Sequence, residues 1–342
     1  MKDFRLSFVV TAICLIAAYL WGGTTALFIA MVLGVMEVSL SFDNAVVNAT
    51  VLQDMDAKWQ RRFLTWGMLI AVFGMRLLFP IVVVAVVANL GVFEVARLAL
   101  QQPLEYSRHL EQSHVAISAF GGMFLMLVFL NFILDAEKDT HWLHWLESKL
   151  SLLGKVGSIQ VVTAGGMLLA LQYALPPALR LEAVIAGLAG ILLYLLIDGL
   201  SGLTATPEEG EAIAKTVKRS GVMAFLYLEV LDASFSFDGV IGAFAITKDV
   251  VIIATGLTIG AMFVRSFTIY MVRKGTLKQF IFLEHGAHYG IGALAILMLA
   301  SSAVPVSEVI TGLIGVAFIL AALGSSILHK KADEAPVLDA VA

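Results

Sequence analysis

The sequence predicts an all-α polytopic membrane protein of about ten transmembrane helices, in two inverted repeats with interrupted motif helices, and three observations predict it. Of 342 residues, 60% are hydrophobic and 14% are charged, whereas a soluble domain carries about 25% charged residues. The hydropathy breaks at charged or Gly/Pro-rich points into stretches long enough to span a bilayer. An acidic motif placed inside two of those stretches recurs after 195 residues, from Glu37 to Asp232.

The expected spans are 4–22, 26–49, 65–89, 114–135, 158–175, 181–203, 220–247, 249–272, 279–301 and 305–328. The first follows Lys2 and Arg5; it exceeds a signal-peptide core and no A-x-A site follows it, so it reads as a span rather than a cleaved leader. The second is long and holds Asp43, Asn44 and Asn48, so it is expected to break there. The third and eighth each carry one arginine, Arg76 and Arg265, nine positions after Gly67 and Gly256. The fourth and ninth open near His114 and His285, and the fifth and sixth are parted by Arg180. The seventh and eighth meet at Lys248, and the tenth ends before Lys330 and Lys331. Trp21, Trp59, Trp66, Trp142 and Trp145 fall near span ends, where the indole ring anchors at the interface.

Lysine and arginine sort these loops into two sides. Of the 22, sixteen fall on the side that holds both termini, Arg97, Arg108, Arg180 and Lys248 fall on the other, and Arg76 and Arg265 lie inside spans. By the positive-inside rule both termini are cytoplasmic, and the expectation is a multi-pass protein of a bacterial inner (plasma) membrane. Residues 1–178 form the first repeat (spans 1–5), 179–330 the second, inverted one (spans 6–10), and 331–342 a cytoplasmic tail. A net charge of −4 without a basic arm gives no reason to expect nucleic acid as a partner. The lipid bilayer is the expected partner, and a homo-oligomer is compatible with the sequence. Cys14 is the sole cysteine, which excludes an intrachain disulfide and a thiolate metal cluster. No phosphate-binding loop, nucleophile elbow or His-Glu-x-x-His pair is found, so the chain is not expected to be an enzyme or to hydrolyse ATP.

The repeat is carried by three markers in the same order. Glu37-Val-Ser-Leu-Ser-Phe-Asp-Asn44 matches Asp232-Ala-Ser-Phe-Ser-Phe-Asp-Gly239, the Gly–Arg pairs follow, and His114, Ala116 and Gly121 match His285, Ala287 and Gly292. Five spans separate equivalent helices, and an odd number inverts the second copy, as in many secondary transporters. Ionisable groups in spans are costly and so are functional suspects: Glu37, Asp43, Asp232 and Asp238 against Arg76 and Arg265 leave two negative charges. Glu37, Ser41 and Asn44 share one helical face by their i, i+4, i+7 spacing. A break just after Asp43, where Asn44 and Gly239 tolerate left-handed backbone, would turn the aspartate into the same cavity. Carboxylates with Ser41, Ser236 and Asn44 make an all-oxygen set suited to hard divalent cations, with Mn²⁺, Ca²⁺ and Mg²⁺ as candidates, and one such ion or two protons would balance the charge. The plainer alternatives are that the arginines only form ion pairs that hold the bundle and that the serines bond back to their own helix. His114 and His285 can shuttle protons or be ordinary helix-end histidines. Asp135, Glu137, Asp139, His141 and His144 after the fourth span read as a solvated loop.

At Glu37–Asn44 and Asp232–Gly239 the sequence resembles the TerC family of integral membrane proteins, in its branch named only as a domain of unknown function. The resemblance runs from the first motif to about the ninth span. It implies metal ligation by Glu37, Asp43, Asn44, Asp232 and Asp238 and a part in the export of metal, with manganese favoured as the transported ion and protons as a coupling partner. Gly239, where the family often has a polar residue, and the long 136–157 loop depart from the pattern. The alternative is a non-transporting membrane partner that binds metal structurally or helps to load exported proteins. By depth along their helices, Glu37 and Asp232 are expected at the centre of the membrane, about 17 Å in, with Asp43 and Asp238 to either side.

Overall fold

The computed structural model describes residues 3–334 except 68, 137, 139, 155, 157 and 204–220. Among the described residues there is no strand. A helix stands in every interval where a span was expected, and six helices are long and apolar enough to cross a membrane: Arg5–Leu40, Ile70–Val87, His114–Ile133, Pro177–Leu200, Val250–Lys274 and Leu313–Lys330. Large apolar side chains such as Leu20, Phe28, Val86 and Tyr173 lie bare on the outside, a surface that lipid and not water accommodates.

The first helix, α1 (Arg5–Leu40), is a hairpin. At 36 residues a straight helix would reach about 54 Å, far beyond a hydrocarbon core of about 30 Å, but Gly22 and Gly23 leave helical geometry and Gly23 adopts φ 68°, which only glycine accepts without strain. The chain folds back there. Ser7 of the first arm donates to the Met262 carbonyl (2.6 Å) while Trp21 reaches Asp249 (2.9 Å), and in the second arm Leu33 meets Gly256 and Glu37 meets Gly260. Both arms therefore flank α12 (Val250–Lys274) in opposite directions. Gly256 and Gly260, four apart, face Ala30 and Gly34 of the second arm, and any side chain there would strike Leu33 or Glu37. Small residues at this spacing let two membrane helices approach closely.

α1 stops at Ser41 and the chain resumes as α2 (Phe42–Asp54). The break precedes Asp43 rather than following it, a correction to the sequence reading. α3 (Ala57–Arg62), capped by Asp56, leads into two π-helical segments, Phe63–Gly67 and Ile70–Leu78. Pro80, which has no N–H to donate, stands where the wide turns revert to α4 (Phe79–Val87). Between α4 and the next span, where no element was predicted, lie two amphipathic helices, α5 (Val92–Gln101) and α6 (Pro103–Gln112). They bury Val95, Ala99, Tyr106 and Leu110, and their sequence is too polar to register as a span.

α7 (His114–Ile133) is the most enclosed of the six spans and packs against α9 (Ile159–Ala174), α10 (Pro177–Leu203), α11 (Gly221–Ile246) and α14 (Leu283–Ser301). The short α8 (His144–Leu153) precedes α9, α13 (Thr276–Gln279) bridges α12 to α14, and α15 (Glu308–Glu334) closes the bundle. α11 runs unbroken through Asp238 and Gly239, so only the first of the two motif helices is interrupted. α2 sits among α11, α12, α14 and α15, which brings the two motifs face to face.

Candidate functional site

Glu37, Asp232 and Arg76 meet in the interior. Arg76 is 3% exposed and Glu37 1%; Arg76 Nη2 and Nε donate to Glu37 Oε1 at 2.7 and 3.2 Å, Nη1 donates to Asp232 Oδ2 at 3.4 Å, and Nη1 also donates to the Ala71 carbonyl at 2.8 Å. That carbonyl lies five residues back in the π-helical stretch, so the side chain is tied to its own helix as well as to the acids. A guanidinium shared by two buried carboxylates offsets part of their desolvation.

The two motifs reach this centre by reciprocal contacts. Within each motif the second serine donates to the acid four residues before it, Ser41 to Glu37 (2.9 Å) and Ser236 to Asp232 (3.4 Å). The first serine of each, Ser39 and Ser234, bonds back to its helix carbonyl, which is the plain reading of a helical serine. Across the motifs, Asn44 Nδ2 donates to Asp232 Oδ1 (2.7 Å), and at the matching position a Cβ on Gly239 would lie 2.5 Å from Glu37 Oε2. Position 239 therefore has no room for a side chain while the Glu37 carboxylate occupies the space.

Other expected residues stand elsewhere. Asp43 is buried against Gly315 of α15, where a Cβ would come within 2.5 Å of its carboxylate, with Gly290 of α14 opposite, and its Oδ1 accepts from the Asn44 N–H. The Asp238 side chain lies outside those described. Arg265 Nε and Nη2 donate to the Leu64 carbonyl at 3.1 and 3.0 Å, and among the described residues it forms no ion pair with a carboxylate. A tiny cavity of about 10 Å³ separates Arg265 from Arg76, with Asn48, Asp232 and Thr268 on its wall. His114 faces Ser118 and Ser301 at one end of the α7–α14 pair, while His285 bonds the Thr140 carbonyl at the other; neither joins the centre. Among the described residues, no group of three or more His, Cys, Asp or Glu is arranged to hold a metal ion.

Glu229 is the buried acid that the sequence reading passed over. It is 5% exposed, neither carboxylate oxygen has a hydrogen-bond partner among the described residues, and Oε1 abuts Gly67, where a Cβ would come within 2.6 Å. Its spacing to Asp232, one helical turn earlier on the same face, was the available signal. The Oδ1 atoms of Asn44 and Asn48 are likewise buried acceptors without donors. The charge count of the interior therefore gains a carboxyl that the repeat did not mark.

The loop after α7 is not simply solvated. Glu147 is fully buried; it takes Lys138 Nζ at 2.8 Å, the Leu143 N–H at 3.1 Å and the Tyr289 hydroxyl at 3.2 Å, with His285 Nε2 at 3.5 Å. Burial alone would raise its carboxyl, but the Lys138 ammonium, the Leu143 N–H and His285 together hold it below the ordinary range. Glu137 and Asp139 lie outside the described residues.

A protein-family model described as "Protein of unknown function (DUF475)" matches residues 42–333. The chain belongs to this family. The matched region of the DUF475 chain contains both acidic motifs apart from Glu37 and its neighbours, together with Arg76 and Glu229. No curated protein and no solved structure matches the chain.

Proposed function

We propose that this membrane protein carries a divalent cation, with manganese the favoured cargo, through a site formed by the two motif helices. The single observation that supports it most is the convergence of Glu37 and Asp232, 195 positions apart, on one buried guanidinium with acceptor oxygens of Asn44, Asn48 and Glu229 left without donors. Donor-free oxygens in a desolvated interior suit a hard cation. The reciprocal pairs Asn44–Asp232 and Gly239–Glu37 support two inverted repeats of five spans each, with α1 supplying two, and proton exchange as the coupling. The resemblance to the TerC family points to the same cargo.

A second reading, a non-transporting membrane protein that uses the cluster to lock its helices, is favoured by the completeness of the Arg76 bonding and by the small size of the adjoining cavity. Flux separates the two. Purified protein in proteoliposomes should move Mn²⁺ down a gradient, and Glu37→Gln or Asp232→Asn should lower that flux at least about tenfold, since an amide replaces a carboxylate ligand poorly. Equal flux in empty and loaded vesicles, with both variants folded, would establish the structural reading instead.

A further inference from the structure

A second constellation lies where α3 runs into the π-helical segments. Lys58, Arg61, Arg62 and Thr65 stand at i, i+3, i+4 and i+7, one face of the helix, and all four are exposed. With Ala57 and Trp66 they line an open cavity of about 480 Å³. No carboxylate is in that lining. The adjacent Asp56 is committed to the Lys58 and Trp59 N–H groups at 2.9 and 3.0 Å, and Asp54 stands outside the cavity. None of the three cations is held in an ion pair among the described residues. The frame is nonetheless fixed: the Arg62 guanidinium lies 4.4 Å from the Trp59 ring centroid, and Thr65 Oγ1 donates to the Arg61 and Arg62 carbonyls at 2.8 and 3.2 Å.

The exposed face continues in a different character. Beyond the cations come Trp66 at 66% exposure, Leu69 at 51%, Ile70 at 38% and Phe73 at 54%, so three positive charges, unpaired among the described residues, pass through an indole into a bare apolar strip. Trp at this junction marks the headgroup level, and a basic pocket beside a membrane helix is suited to an anionic headgroup. A free phosphate ion would use only the basic end.

We propose that this strip binds an anionic phospholipid, its headgroup phosphate on Lys58, Arg61 and Arg62 and its acyl chains along Trp66, Leu69, Ile70 and Phe73. Because the turn carrying the cations joins motif helix α2 to the Arg76 segment, the lipid would pin that connection at the membrane surface. None of this depends on the cation-transport reading, since no central carboxylate takes part.

The test is lipid retention by the full-length protein, reconstituted in phosphatidylcholine bilayers doped with phosphatidylglycerol, repurified, and weighed intact by native mass spectrometry. The wild type should retain phosphatidylglycerol above its share of the bilayer. Lys58→Gln/Arg61→Gln/Arg62→Gln should lower that enrichment about tenfold to a hundredfold, given the attraction of each near-surface cation to an anionic bilayer. A control triple, Lys149→Gln/Lys274→Gln/Lys330→Gln, removes the same charge from other exposed positions and should leave enrichment intact; an equal loss there would mean general surface attraction and overturn the proposal. Trp66→Ala/Phe73→Ala, which keeps every charge, should weaken retention of the lipid and leave what remains more easily displaced by inorganic phosphate than in the wild type. If inorganic phosphate alone strips the wild type as fully as it strips that double variant, the site takes a free anion and the lipid assignment fails. Arg61→Gln alone, at an exposed position, serves the same comparison should the triple variant not fold.

Discussion

Replacing Arg76 by alanine strips the buried centre of its cation. Glu37, 1% exposed, would keep only the Ser41 hydroxyl on its bonded oxygen, Asp232 would keep Asn44 and Ser236, and the Ala71 carbonyl would lose the Nη1 contact. Removing one partner of a buried ion pair costs about 3–5 kcal/mol because the other charge is left uncompensated. The loss is measurable as the unfolding free energy in a denaturing-detergent titration. Neutralising a partner should restore part of it, and the partner matters. Coulomb attraction falls inversely with distance, so Glu37 at 2.7 Å is held about a quarter more strongly than Asp232 at 3.4 Å, and Arg76→Ala/Glu37→Gln should recover more than Arg76→Ala/Asp232→Asn. Mn²⁺ should raise the stability of Arg76→Ala by about 2.7 kcal/mol at a hundredfold excess over its dissociation constant, a larger gain than it gives the wild type. A loss under about 1 kcal/mol, or no recovery from either neutralisation, refutes the reasoning.

Three further outcomes follow from the structure. Gly239→Ala, whose Cβ would lie 2.5 Å from Glu37 Oε2, should cost about 1–3 kcal/mol by overpacking and lower Mn²⁺ affinity, whereas Gly166→Ala, with open space around it, should be close to neutral in the same titration. The carboxyl of Glu147 is held below its ordinary value of 4.5, so its contribution is full above that pH and is lost as pH falls through the folded value; Glu147→Gln should abolish this acid-side slope in melting temperature against pH. Reporters fused after Lys58 and Lys278 should read cytoplasmic and those near Arg97 and Lys248 periplasmic; the same side for all four would remove the inverted arrangement.

The six long apolar helices were legible because a bilayer demands such stretches, and that demand is written in composition. The Gly22–Gly23 turn was legible too, as the gap between the first two expected spans. What the sequence did not disclose were features set by tertiary contact. α5 and α6 escaped because half-buried amphipathic helices hold too few apolar residues to pass for spans. The π-helical turns have no residue signature; they stand with the Ala71 carbonyl bonded by Arg76. Gly239 was taken as a hinge and is instead a clearance for Glu37, a role no local pattern distinguishes. Arg265 and Arg76 looked equivalent by spacing, yet one reaches a backbone carbonyl and the other two carboxylates, because only the second stands where both motifs converge. Glu229 was visible as an acid in an apolar run but lay outside the matched pattern, and matching by repeat hides whatever one copy alone carries.

The bonding at the centre decides what the transport reading requires of Arg76. Glu37 Oε1 already accepts three donors, two from Arg76 and one from Ser41, so a cation at that oxygen must displace the guanidinium. The adjoining cavity of about 10 Å³ is about the size of one water, and the Arg76 side chain stands in its wall. Entry of a cation and separation of the π-helical segment from the second arm of α1 are then a single event rather than two. The guanidinium serves the empty protein as a tethered counter-cation, so the carboxylates need not face the low-dielectric interior unpaired when no ion is bound. Glu229, close-packed on Gly67 of the neighbouring π-helical segment and without a hydrogen-bond partner among the described residues, is a group whose surroundings such a shift would change.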